Sequence, residues 1–365
     1  MAKFIHGLQF NNLRGVLFGG LTVAVVALPL ALALVAVTPL AQAADVRPML
    51  SLPLDCGGDI PCMVQHYVDR DPGPDARDFM CGGLTYDGHK GTDFRLTDLR
   101  QMEKGVAVRA SAAGVVVGVR NDFPEHRIED FDRAKVKGRE CGNGVVLDHG
   151  GDWTTQYCHM RRGSISVAKG QRLNAGEKIG LIGLSGETTF PHVHLSVRHR
   201  GRPVDPYTVG ADVVDADEAD QCGQTGEGLW TAAARQAVPY RAAGVIRAGF
   251  SKEMPTLKTI REGRHDEDVL AANISKLIFW VQIFGLQAGD VEEYVIVGPG
   301  GKRFLSYRRK PAAKALPVWF GAAGKALKLR PAWPTGIYRA AYRLRRTVNG
   351  KATTVIEFEK RLTLN

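Results

Sequence analysis

The sequence predicts an all-β protein with two domains that follow an N-terminal export signal. Short runs rich in Val, Ile, Thr and aromatic residues alternate with glycine-containing turns, a pattern typical of β-structure. Between Cys81 and Pro206 no segment has the periodicity of a long helix. The length of 365 residues and the 44% share of hydrophobic residues suffice for two packed cores.

The first 43 residues have the character of a secretory signal peptide. A basic start that includes Lys3 and Arg14 precedes an uncharged run over residues 16–40, and residues 41–43 form an Ala-x-Ala cleavage pattern. We therefore expect a periplasmic or secreted protein. The alternative is an uncleaved membrane anchor, since about 25 apolar residues could span a bilayer.

All six cysteines follow this segment, and their even number suits the oxidising compartments outside the cytoplasm. Cys141 and Cys158 flank a predicted hairpin with its turn at residues 149–152, so we expect a disulfide between them. Zinc ligation by cysteine is disfavoured because the chain has no Cys-x2-Cys pair. The six are Cys56, Cys62, Cys81, Cys141, Cys158 and Cys222.

Composition divides the exported chain into four segments. We predict a loop-rich segment at 44–80, a β-rich domain at 81–210, a linker at 211–238 with one short helix near 229–237, and a β-sandwich at 239–365. Residues 121–139 are charged and interrupt the strand pattern of the domain at 81–210, as an insertion would.

Two further observations concern the C-terminal segment. Asn349-Gly350 is a strong signal for a hairpin turn. Residues 239–365 hold 23 Lys and Arg against 10 Asp and Glu, whereas the whole chain has a formal charge of +10. This excess predicts attraction to an anionic cell-envelope surface, although a solvated basic face without a partner is an equal alternative. We expect no nucleic-acid partner.

Three short segments carry residues of the types that bind catalytic zinc. His89 and Asp93 form a His-x3-Asp pair, His159 ends an alternating run, and His192 and His194 form a His-x-His pair. A catalytic zinc site has three protein ligands and an open position. Strand residues two apart face the same side, so His192 and His194 should point into one groove.

In this order and spacing, the segments resemble the M23 (lysostaphin/LytM-type) metallopeptidases. The glycine-rich strands at 105–116 and 142–150 and the segments at 185–195 and 203–206 strengthen the resemblance, which covers about Thr85 to Pro206. It implies a small antiparallel sheet with a groove that binds one zinc ion. It also implies hydrolysis of peptide cross-links in bacterial peptidoglycan by a metal-activated water.

The resemblance assigns roles by position. His89, Asp93 and His194 match the family's zinc ligands, and His159 and His192 match its two catalytic histidines; which of the two is the base stays open. Three departures concern substrate preference: Ser196 replaces an acidic residue, Ala107 replaces a proline, and the insertion is long. Other histidines are expected on the surface: His66, His126, His199 and His265.

These residues predict a zinc-dependent endopeptidase. Two alternatives stay open: a zinc-bearing module that holds peptidoglycan or an amidase without cutting, and a peptidase that acts on proteins. The complete set of five site residues favours the enzyme. A protein activator is a further candidate partner.

Overall fold

The computed structural model describes six stretches of the chain, namely residues 47–58, 60–61, 63–208, 222–223, 228–328 and 331–365. The predicted signal at 1–43 and most of the predicted linker at 211–238 lie outside these residues. The described part consists of β-strands with a few short helices, so the predicted all-β class is confirmed.

The catalytic segment is an antiparallel sheet in which the strand His192–His199 pairs with three other strands. The strand order is β1-β2-β9-β6-β5-β4-β7, with β10 also paired to β9 and with β3 and β8 paired separately. The strands are β1 (Val64–His66), β2 (Thr92–Arg95), β3 (Ala107–Arg109), β4 (Gly114–Arg120), β5 (Asn143–Gly150), β6 (Trp153–Met160), β7 (Arg172–Leu173), β8 (Lys178–Leu181), β9 (His192–His199) and β10 (Arg202–Val204).

The alternation of side chains along β9 separates the core from the groove. Val193, Leu195 and Val197 are at most 1% exposed and belong to the hydrophobic core of this sheet. His192 and His194 occupy the intervening positions and therefore face the opposite side. The sheet thus has one apolar face and one face on which the predicted site histidines His192 and His194 lie.

Two disulfides join described residues. Cys141–Cys158 has a Cα–Cα distance of 4.7 Å, and the expected pairing across the β5–β6 hairpin is confirmed. Cys81–Cys222 has a Cα–Cα distance of 5.1 Å and ties the start of the catalytic segment to a residue of the predicted linker. Cys62 lies outside the described residues.

The helices are short. They are α1 (Leu99–Glu103), α2 (Arg133–Val136), α3 (Ala232–Ala237) and α4 (Leu257–Arg261), with 3-10 turns at Ile128–Asp130 and Pro299–Gly301. The expected helix near 229–237 corresponds to α3. None of the helices in the described stretches has the length and apolar character that crossing a bilayer requires.

The C-terminal segment contains two sheets with the orders β11-β13-β16 and β12-β18-β17-β14-β15. Their facing side chains, such as Phe279 of β13 and Tyr294 of β14, share a second hydrophobic core. Asn349 and Gly350 form the predicted turn, with φ of 50° and 75°. The strands are β11 (Gly244–Ser251), β12 (Val269–Leu270), β13 (Lys276–Leu286), β14 (Val291–Val297), β15 (Arg303–Arg308), β16 (Leu316–Ala326), β17 (Gly336–Val348) and β18 (Lys351–Leu364).

This segment also packs against the catalytic sheet. Ile246 and Phe284 belong to the core of the catalytic sheet, and partly buried Val318 packs on it. The buried Arg247 Nη1 lies 3.0 Å from Asp98 Oδ2, at the start of α1. The boundary near residue 239 stays a prediction, but the two segments share a continuous contact surface.

Candidate active site

Pairing between β2 and β9 brings the first and third motifs together. Asp93 lies directly opposite His194, and Asp93 Oδ1 is 2.8 Å from His194 Nδ1. His89, four residues before Asp93, places its Nε2 3.2 Å from the same oxygen. Gly91 permits this approach, because a Cβ there would lie 2.5 Å from His194 Nε2. Sequence spacing and register together therefore cluster His89, Asp93 and His194.

His159 reaches the same place from β6 by breaking the alternation of the strand. Cys158 lies opposite His194 and shares its face, while Tyr157 is buried in the core. Regular alternation would turn His159 towards the core as well. Its φ of 61°, rare for a residue other than glycine, turns the chain instead, and its ring centroid lies 4.7 Å from that of His192.

Three of the histidine rings are oriented by carbonyl groups. His89 Nδ1 donates to Tyr67 O at 2.6 Å, His159 Nδ1 to Ser185 O at 2.9 Å, and His192 Nδ1 to Phe190 O at 2.9 Å. A carbonyl oxygen can only accept, so the proton of each neutral ring lies on Nδ1. The Nε2 atoms therefore present lone pairs.

His194 has the opposite tautomer. Ser196 Oγ donates its one proton to Lys90 O at 2.7 Å, so it accepts from His194 Nε2 at 3.0 Å. His194 Nδ1 is then the unprotonated nitrogen, and it faces Asp93. A serine can thus orient this ring at the position where the family resemblance led us to expect an acidic residue.

The result is a cluster of acceptor atoms turned towards one another. His89, Asp93 and His194 each offer one potential metal-ligand atom, and these three atoms lie within 4.8 Å of one another. The same holds for His159, His192 and His194. Acceptors this close repel unless a proton or a cation lies between them. The tautomers of the ring nitrogens therefore fit a metal cation.

Burial and the charge of Asp93 shift the pKa values of the clustered side chains. Burial alone would raise the pKa of Asp93, but the neighbouring His89 and His192 hold that pKa well below its usual range. Burial lowers the pKa of His159 well below its ordinary value, helped by repulsion from His192 and His194. Burial opposes protonation of His89, yet Asp93 raises the pKa of His89. His159 is thus neutral at neutral pH and able to accept a proton.

Comparison with known proteins agrees with this arrangement. Residues 87–206 match the family model described as Peptidase family M23. This part of the chain is an M23 peptidase domain. It contains all five residues that the sequence motifs singled out.

Two curated relatives match the M23 domain. Peptidoglycan DD-endopeptidase ShyA of Vibrio cholerae is 38% identical over 116 residues, which cover 32% of this chain and 21% of the relative. DD-carboxypeptidase/endopeptidase Mpg of Neisseria meningitidis is 32% identical over 120 residues, which cover 32% of this chain and 23% of the relative. The chain therefore spans less than a quarter of the length of these relatives.

A solved structure is also similar. It is a zinc-containing peptidase from Vibrio cholerae, 27% identical, with coverage of 40% of this chain and 39% of that chain. The TM-score is 0.26, which supports no conclusion about overall architecture.

Four other histidines were expected on the surface. Three of them are buried, so that expectation was wrong for these three, and the fourth is only partly exposed. His66, His199 and His265 are 8%, 6% and 8% exposed, and His126 is half-buried. His199 stacks on Trp153, whereas His265 hydrogen-bonds to hydroxyl groups. These rings are buried because each one has a packing or hydrogen-bonding partner.

His66 belongs to the M23 site itself. Its Nδ1 lies 3.0 Å from Asp93 Oδ2, on the side away from His194. It lies on β1, within the segment that was predicted to be loop-rich. The one available signal was the short run of β-forming residues around it, Val64, Tyr67 and Val68.

Two clefts flank the five side chains. His89, His159 and His194 line one of about 560 Å³, and Asp93 and His192 line the other, of about 370 Å³. Residues of the 121–139 insertion and of the C-terminal segment complete the walls of the second cleft. They are Phe131, Arg133, Arg261, Gln282, Pro317 and Val318.

The second cleft also contains Arg95, which the sequence motifs did not single out. Burial, together with repulsion from Arg261, lowers the pKa of Arg95 to about 9, so this guanidinium is charged at neutral pH. Its Nε donates to Leu96 O at 3.1 Å, and its Nη1 donates to Gln65 Oε1.

Proposed function

We propose that this protein is a zinc-dependent endopeptidase that hydrolyses peptide cross-links of bacterial peptidoglycan. The observation that carries the proposal is the cluster of acceptor atoms from His89, Asp93, His159, His192 and His194. The named activities of the relatives of the M23 domain support this substrate class.

His89, Asp93 and His194 are the proposed ligands of one zinc ion. They offer two imidazole nitrogens and one carboxylate oxygen, a donor set that suits catalytic zinc and leaves a position open. Bound zinc would lower the pKa of a water molecule towards ~7 and polarise the carbonyl group of the substrate. The hydrogen bonds to Tyr67 O and Ser196 Oγ hold the two rings in the tautomers that ligation needs.

His159 and His192 are the proposed proton-transfer groups. Each ring has its Nδ1–H fixed by a backbone carbonyl, so each Nε2 can accept a proton and later return it. His192 Nε2 lies 3.4 Å from Asp93 Oδ1. The lowered pKa of His159 keeps its ring neutral before the reaction. Both rings have the same orientation of donor and acceptor.

The protein is further proposed to act after export, in the periplasm or outside the cell, or on the membrane if its signal is not cleaved. The disulfides Cys81–Cys222 and Cys141–Cys158 support an oxidising compartment. The basic excess of the C-terminal segment supports an attraction to the anionic envelope.

The test is digestion of purified cross-linked peptidoglycan by the protein, followed by separation of the muropeptides. Untreated, chelator-treated and zinc-restored protein are compared. We expect cross-linked dimers to fall and monomers to rise, with loss of this effect on chelation and recovery with zinc. If folded, zinc-loaded protein leaves the dimers intact, the endopeptidase proposal fails and a non-cleaving module takes its place.

A further inference from the structure

Two arginines from distant parts of the chain line the same cleft as Asp93 and His192. Arg95 is two residues after Asp93 on β2, whereas Arg261 is the last residue of α4 in the C-terminal segment. Both side chains end in a guanidinium group, and both line one cleft of about 370 Å³. The cleft therefore places two guanidinium groups beside the proposed catalytic residues.

Neither arginine has an acidic partner within the described stretches of the chain. Arg95 is 3% exposed, and its hydrogen bonds go to the neutral acceptors Leu96 O and Gln65 Oε1. Of the other charged side chains in this cleft, Arg133 pairs with Glu187, and the Asp93 carboxylate is held by the rings of His66, His89 and His194. Two like charges held together without a counter-ion are unfavourable, and an anion in the cleft would relieve the repulsion.

Gln282 of β13 provides a second, independent observation in the same cleft. It is 1% exposed, lines the cleft, and its Oε1 has no hydrogen-bond partner within the described residues. A buried amide oxygen is rarely left without a hydrogen-bond donor. The amide is thus available to a polar group that enters the cleft.

We propose that Arg95, Arg261 and Gln282 form a subsite that binds a free carboxylate of the cross-linked peptide. Guanidinium groups suit this ligand because their planar N–H donors match the two oxygens of a carboxylate. The Oε1 of Gln282 accepts a hydrogen bond from a peptide N–H beside that carboxylate. The inference rests on the proposed peptidase function, and it makes the C-terminal segment part of the substrate groove.

The experiment uses the full chain and a synthetic cross-linked peptide dimer whose free carboxylates are converted to carboxamides one at a time. We expect one of these amidations to lower kcat/KM of the unaltered protein by about tenfold or more, as loss of a charge-assisted hydrogen bond would. Arg261→Gln should lower kcat/KM for the unmodified dimer by a similar factor and remove the sensitivity to that amidation. Arg261→Lys, which keeps the charge, should retain part of the selectivity.

Arg264→Gln is the matched control, because it removes the same charge three residues away. Arg264 is 65% exposed and pairs with Glu262 at 3.0 Å, and it does not line the cleft. This variant should keep the selectivity of the unaltered protein. If every amidated dimer is cleaved like the unmodified one, or if Arg261→Gln keeps the selectivity, the subsite does not exist.

Binding of the same dimers, measured by calorimetry with the His159→Ala protein, separates the two proposals. If no dimer is cleaved by the unaltered protein, the endopeptidase proposal fails. The subsite still stands when binding to His159→Ala weakens on one amidation and on the added Arg261→Gln change. Binding that is insensitive to both changes overturns the subsite, whatever the protein cleaves.

Discussion

His66 Nδ1 donates a hydrogen bond to Asp93 Oδ2 at 3.0 Å. This contact orients the carboxylate through the oxygen that does not face His89 and His194. The direction follows from Gln65. Its Oε1 accepts from Arg95, so its amide nitrogen donates to His66 Nε2 at 3.2 Å and leaves the ring proton on Nδ1. A buried chain of hydrogen bonds therefore runs from Arg95 to the proposed metal ligand.

Loss of this contact should weaken metal binding. His66→Phe removes the donor, and we expect zinc affinity to fall about 10- to 100-fold, the usual effect of removing such a supporting group. His66→Asn, whose amide can reach a similar position, should recover part of the loss. Competition with a chromogenic chelator measures both. Equal zinc affinities for His66→Phe and the unaltered protein would show that the hydrogen bond from His66 to Asp93 does not contribute to zinc binding.

Ser196 should affect zinc affinity because it fixes the tautomer of His194. Ser196→Ala removes the acceptor of His194 Nε2–H, so the ring no longer has its Nδ1 lone pair fixed towards Asp93. We expect a loss of zinc affinity of about tenfold, with little change in thermal stability. Ser306→Ala, at an exposed position on β15, is the control and should bind zinc normally. A Ser196→Ala protein with unchanged affinity would contradict the assigned tautomer.

Asp205 should make the fold less stable as pH rises. Burial raises the pKa of this carboxyl from 3.8 to about 6, and its Oδ2 has no hydrogen-bond partner within the described residues. Because the folded-state pKa is above the unfolded value, the folded state binds the proton more tightly. The penalty is absent below the unfolded pKa, grows up to about pH 6 and is constant above it.

Asp205→Asn should remove this penalty. We expect the variant to be more stable than the unaltered protein above about pH 6, by on the order of 3 kcal/mol at most, and to have little advantage near pH 4. Urea unfolding at several pH values measures the difference. An advantage that is independent of pH would mean that Asp205 is not a buried, titrating carboxyl.

The sequence predicted which side chains cluster in the groove, but not the contacts that hold them in place. Motif spacing identified His89 and Asp93, and the pairing of β2 with β9 then brought His194 beside them. His66 was missed because it lies on a strand of three residues, and its role depends on a contact with a residue 27 positions later. The positive φ of His159 has no local sequence signal.

The residues that form the walls of the groove could not be predicted from the sequence, because tertiary packing between distant segments brings them together. The insertion at 121–139 was identified by its charge, but its contact with the groove depends on tertiary packing, such as the hydrogen bond from His126 Nε2 to Thr188 O at 2.9 Å. Arg261 follows Arg95 by more than 160 residues, and only the packing of the C-terminal segment against the catalytic sheet brings the two together.

The most direct test of the central claim measures zinc content and cleavage of a cross-linked peptide dimer for three proteins side by side. These are the unaltered protein, His159→Ala and His194→Ala. We predict that His159→Ala retains one zinc ion and loses cleavage by a factor of about 10² to 10⁴, whereas His194→Ala loses the zinc ion itself. Normal cleavage by a zinc-loaded His159→Ala protein, or full zinc content in His194→Ala, would contradict the proposed division between ligands and proton-transfer groups.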